Sequence, residues 1–114
     1  MFCFSQNIYQ VTVNHLEIGN YNIDSTSTWK DSLLTYQPTI EIYKDSLVID
    51  GMVSYKFSSK RESNPGVFSF LSIEEKTNKP YIVTYFTSPC VDKVSITIII
   101  EDEKTSYNYY GKMN

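Results

Sequence analysis

The side chains that could carry chemistry are few and scattered. The chain holds one histidine, His15, and two cysteines, Cys3 and Cys90. Nucleophilic catalysis needs a nucleophile, a base and an orienting group within reach of one another. A Cys90–His15 pair would make a thiol enzyme, but Cys90 follows Ser88-Pro89 in an expected turn and carries no surrounding signature. His15, in Val13-Asn14-His15-Leu16, reads as a partly exposed strand or turn residue. Zinc wants three or four His, Cys or carboxylate ligands with paired local spacing, which this chain does not supply. Glu101-Asp102-Glu103 lacks the alternation and the glycine of a calcium loop and reads as a solvated acidic turn. Asp45 and Asp50 flank a short hairpin, and paired carboxylates at a suitable separation can hydrolyse glycosides. With thirteen acids in the chain, however, such pairs arise by chance. The four glycines form no phosphate-cradling loop. The reading is of no catalytic residue, no metal ligand and no cofactor: a protein that is not an enzyme.

What remains is aromatic. Tyr55 and Phe57, Phe68 and Phe70, and Tyr81 and Tyr85 each fall two or four residues apart, with Trp29 placed to act as a plug. Ligand pockets are commonly apolar and aromatic with a few polar groups, and tyrosine supplies both characters. These seven residues are the candidate ligand-binding set; the competing reading is ordinary core packing.

A two-residue rhythm runs along the chain and sets the elements that must position them. Val94, Ile96, Ile98 and Ile100 point one way along an extended backbone, while Ser95, Thr97 and Ile99 point the other. Similar alternation covers residues 8–18, 39–43, 47–49, 53–57, 67–73, 81–86 and 105–110. Gly19-Asn20, Lys44-Asp45, Asp50-Gly51, the polar loop 58–66, residues 77–80 and 88–89, and 101–104 read as the turns between them. Trp29, Leu33 and Tyr36 lie at i, i+4 and i+7, with Thr28 as N-cap and Pro38 as stop, which predicts one short helix over residues 29–36 packed on the sheet. Short connections favour antiparallel neighbours. The expected fold is all-β: an antiparallel meander of about eight strands, closed into a small barrel or folded as a two-sheet sandwich. It forms one domain over residues 1–114.

Composition agrees. The chain has no alanine and is rich in Tyr, Ile, Val, Thr and Phe, which suit a pleated sheet. A net charge of −3 argues against a nucleic-acid partner. Lys60-Arg61 is the one basic cluster and reads as solvated loop. No apolar window is long enough to span a membrane as a helix. If Met1 is the native start, the expectation is a cytoplasmic chain; if a leader was removed, a periplasmic or cell-surface one. Cys3 and Cys90 lie far apart, either paired or free.

From Trp29 onward the order of features resembles the small lipocalin-like domains of the calycin type. The residues that carry the likeness are Trp29, the hairpin Pro38-Thr39-Ile40-Glu41-Ile42-Tyr43-Lys44-Asp45-Ser46-Leu47-Val48-Ile49, and the aromatic strand Tyr107-Asn108-Tyr109-Tyr110-Gly111-Lys112. Ser27 and Thr28 stand where that family usually has a glycine before the Trp. The resemblance implies a barrel that holds a small apolar ligand.

A second observation points elsewhere. Phe70 with Leu71, Tyr85 with Phe86, and Ile98 with Ile99 make strands apolar on both faces, where a one-sided sheet shows polar residues outside. Part of the outer surface would then be covered by the helix, by a second copy of the chain or by a partner. An acidic β domain with such a surface also suits an immunity or inhibitor protein that neutralises a toxin or enzyme. The expectation is a binding protein, for a small apolar ligand or for a protein partner.

Overall fold

The computed structural model describes residues 9–21, 27–32, 36–61, 64–87 and 95–113. Among them are nine strands: β1 (Tyr9–Tyr21), β2 (Ser27–Ser32), β3 (Thr39–Ile42), β4 (Ser46–Ile49), β5 (Val53–Arg61), β6 (Val67–Glu74), β7 (Pro80–Thr87), β8 (Ser95–Glu101) and β9 (Thr105–Met113). Every pairing is antiparallel. Strands β3 to β9 form a meander in chain order, and β1 pairs with β9 to close it. The result is a closed barrel of eight strands, the first of the two architectures the alternation allowed, with β2 added outside the ring. Closure removes the sheet edges that an apolar run such as Ile96–Ile100 would otherwise expose.

β1 is the longest element and does double duty. Tyr9 to Thr12 pair with β3, whereas Leu16 to Tyr21 pair with β2 along the same edge. Its other edge pairs with β9 from Val11 to Asn20, with a bulge between Val13 and His15. At the seam a Cβ on Gly111 would lie 2.4 Å from the Thr12 carbonyl oxygen, so only glycine lets β9 approach this closely.

The inward side chains are those the alternation singled out. Val11, Val13, Ile40, Ile42, Leu47, Val83, Ile96, Ile98 and Ile100 are buried and form the core. At the β4–β5 turn Asp50 and Gly51 both have positive φ (52° and 67°), and the Met52 N–H donates to the Ile49 carbonyl. This is the tight hairpin turn that Asp-Gly favours. The Asp50 carboxylate then ties the turn to β3, accepting from the Thr39 N–H at 2.9 Å and the Tyr36 hydroxyl at 2.8 Å.

Three local expectations are corrected. The helix over 29–36 does not form where the chain is described: Ser27–Ser32 is strand β2, and residues 33–35 lie outside the described residues. Three apolar positions at helical spacing lost to a run of poor helix formers (Ser27, Thr28, Asp31) lying beside a strand with open hydrogen-bonding groups. Gly19-Asn20 is not a turn but the end of β1, and Gly19 lies opposite Trp29. Ser58–Arg61, read as loop, continues β5 beyond a bulge between Phe57 and Ser59.

Candidate functional site

The barrel ends differ. At one end β3 and β4, each four residues long, stop at the Lys44-Asp45 turn while the β5–β6 hairpin runs on. This uneven rim is the mouth. On β5, Tyr55 lies opposite the core residue Leu47, so Phe57 two residues on also faces inward. The bulge at Ser58, whose hydroxyl donates to the Leu71 carbonyl at 3.0 Å, then brings Lys60 directly opposite Phe70. On β6 and β7, Phe70 pairs with Val83 and Phe68 with Tyr85.

These placements assemble a ladder of rings across the mouth. Phe57 and Phe70 stack with centroids 4.2 Å apart and planes 5° apart. Phe70 continues to Tyr85 at 6.1 Å, and Tyr85 to Phe68 at 5.2 Å, both near-parallel. Tyr9 closes the ladder edge-on to Tyr85 at 6.1 Å. The Lys60 ammonium sits 5.9 Å from the centre of the Phe68 ring, a cation–π distance. Beside the stack an open groove of about 600 Å³ is lined by Phe57, Phe70, Lys60, Lys44 and Asp45. A second groove, of about 560 Å³, lies across Lys60 and holds Arg61 and Phe68. The rim thus gathers Lys44, Lys60 and Arg61 around exposed aromatic edges on a chain that is acidic as a whole.

Deeper in the barrel the aromatics are tyrosines. Tyr55 and Tyr81 meet edge to face at 5.3 Å. Burial pushes the Tyr55 hydroxyl well above its ordinary range, reinforced by Tyr109, Tyr81 and Glu74 nearby. Burial likewise raises Tyr109 to about 12, and raises Tyr85 and Tyr81. All stay neutral at physiological pH, so these tyrosines offer hydroxyls, with the Glu74 carboxylate beside them.

Six of the seven aromatic candidates therefore share the inward face. Phe57, Phe68, Phe70 and Tyr85 meet at the mouth, and Tyr55 and Tyr81 lie below them. Trp29 stands apart. Its ring covers Gly19 on the outer face of β1, where a Cβ would lie 2.5 Å from the ring, and it plugs nothing. Cys3 and Cys90 lie outside the described residues. Asp50 serves its turn, Glu101 accepts from the Tyr21 hydroxyl at 2.9 Å, and Asp102 accepts from the Lys104 and Thr105 N–H groups in its own turn. On the outer face of β6, Leu71 and Ile73 are 44% and 41% exposed, so this strand leaves apolar surface open, whereas Phe86 of β7 and Ile99 of β8 are half-buried.

One cluster has no counterpart in the sequence reading. His15 and Glu17 alternate onto the outer face of β1, and Asp31 of β2 pairs directly with Glu17. One donor atom from each lies within 4.8 Å of the others. The signal lay in the His15-x-Glu17 spacing, but Asp31 joins it only once residues 27–32 are strand and the β1–β2 register is known.

No family model, curated protein or solved structure matches the chain. Among the described residues no helix is long and apolar enough to cross a membrane. The geometry of the mouth is therefore the ground for a functional reading.

Proposed function

We propose that this is a non-enzymatic binding protein of lipocalin-like type, which takes a small apolar ligand at the mouth of its barrel. The observation that carries the reading is the Phe57–Phe70 stack lining a groove of about 600 Å³, within the usual range of ligand pockets. The barrel's middle is filled by aliphatic side chains, so the ligand would lie on the rim rather than deep inside. Flat apolar molecules suit it best, because they extend a ladder of near-parallel rings at little conformational cost. Lys60 and Lys44 provide the few polar groups that orient such a ligand.

The test uses 1-anilinonaphthalene-8-sulfonate, a flat apolar fluorophore, titrated onto the whole chain. The expected result is saturable 1:1 enhancement, weakened about tenfold by Phe57→Ala, which removes one stacking partner worth about 1.4 kcal/mol. Leu71→Ser on the outer face should leave it unchanged. Enhancement that survives Phe57→Ala intact, or that is lost with Leu71→Ser, refutes the mouth as the site.

One observation favours a second reading. Leu71 and Ile73 form an exposed apolar strip on the outer face of β6, as an acidic interaction module such as an immunity or inhibitor protein would need. Under that reading Leu71→Asp abolishes a stoichiometric complex with a partner protein, while Phe57→Ala leaves it intact.

A further inference from the structure

We propose that His15, Glu17 and Asp31 form a binding site for a divalent transition-metal ion on the outer face of the barrel, of which zinc is the best fit. The site is independent of the mouth and of any ligand there.

The backbone does most of the arranging. His15 and Glu17 are two apart on β1 and so project from one face. The antiparallel register sets Asp31 directly across from Glu17. His15 Nε2 lies 3.3 Å from Asp31 Oδ1, and one donor atom of each of the three residues falls within 4.8 Å of the others. Ligand bonds of about 2.0–2.2 Å put neighbouring donors roughly 3.0–3.5 Å apart around one ion. The His15–Asp31 pair already has that separation. The remaining contraction falls to the side chains, and those of His15 and Asp31 are 46% and 73% exposed. The Tyr110 ring, 5.5 Å from the His15 imidazole and tilted by 33°, limits how that imidazole can turn.

The donor set chooses the ion. Two carboxylates balance a double positive charge. An imidazole favours zinc and its transition-metal neighbours over magnesium or calcium, which prefer oxygen alone. Three protein ligands leave at least one coordination position for water, as in zinc sites that stay open rather than closed structural ones. Among the described residues β2 pairs only with β1, so the ion would cross-link the strand outside the ring to the barrel wall.

The test is a titration of the full chain with cobalt(II), a spectroscopic stand-in for zinc that quenches nearby indole fluorescence. Trp29, the only tryptophan, is two residues from Asp31 on the same face of β2. Saturable 1:1 quenching at submillimolar cobalt, competed by zinc and accompanied by visible d–d absorption, is expected. His15→Ala and Asp31→Asn should each weaken binding at least tenfold. Both are exposed replacements, and unchanged far-ultraviolet circular dichroism will show that the fold persists. Glu103→Gln, in the acidic turn after β8, should bind as the wild type does. Quenching that never saturates, or that is the same in all four proteins, overturns the proposal and leaves a His15–Asp31 ion pair only.

Discussion

Closure of the barrel rests on the β1–β9 seam, and Gly111 offers a direct way to strain it. A Cβ at this position would lie 2.4 Å from the Thr12 carbonyl oxygen and 2.9 Å from Val11 Cγ1. Normal carbon contacts are near 3.5 Å, so the two strands must part by about 1 Å. The first obstacle is backbone, in a ring where β1 is held on its other edge by β3, and no side chain can rotate to relieve it. Overpacking of this kind costs about 1–3 kcal/mol, and the backbone obstacle puts Gly111→Ala at about 3 kcal/mol. That is roughly a hundredfold in the folding equilibrium. Gly19→Ala is the matched control. Its Cβ meets the Trp29 ring at 2.5 Å, but that ring is 46% exposed and can swing into solvent. Its cost should stay below about 1 kcal/mol, with a red shift of the single tryptophan's emission. Urea unfolding followed by circular dichroism and by fluorescence separates the two. A Gly111→Ala protein within about 0.5 kcal/mol of wild type would refute the argument, because a tightly closed seam cannot absorb a methyl group there.

Two further expectations concern pH. Burial raises Tyr109 from 10.0 to about 12, so its share of stability is complete below pH 10 and is lost as pH climbs toward 12. The loss is about 3 kcal/mol, and Tyr109→Phe should make the alkaline decline in urea midpoint shallower; an unchanged slope counts against the buried placement. Glu74 shows the opposite sign: the Thr77 hydroxyl, and after it the Thr77 N–H, hold its carboxyl below the usual range. Its contribution is present above the ordinary carboxylate pKa and lost as pH falls through the lowered one. Thr77→Ala should move Glu74 back toward that ordinary value, read by carbon-detected NMR titration; a Glu74 carboxyl that titrates unchanged in the variant contradicts the assignment.

Much of the fold was legible because barrel strands alternate. Ile96, Ile98 and Ile100 read as one buried face and are that face. The Asp50-Gly51 turn was equally plain, because few residue pairs accept two positive φ angles. Closure into a barrel was one of two expected outcomes, but the strands that close it were not legible, since nothing local in Val11–Asn20 or Thr105–Met113 says that these two meet. The same limit hid β2. The spacing of Trp29, Leu33 and Tyr36 suggested a helix, whereas pairing to β1 decided the outcome. Six of the aromatic candidates came together because period two alone puts them on the inward face. Trp29 did not, because its strand presents it outward over Gly19. Lys60 at the mouth depends on the bulge at Ser58, and the His15–Glu17–Asp31 cluster on register. Neither can be read from spacing along the chain.

The central claim, a small ligand at the aromatic mouth, is tested most directly by native mass spectrometry of the protein purified gently from its own host. A monomer carrying the excess mass of one small molecule, lost in Phe57→Ala, is the predicted result. A bare chain, or a stoichiometric complex with another protein, would contradict it and move the function to the outer face around Leu71 and Ile73.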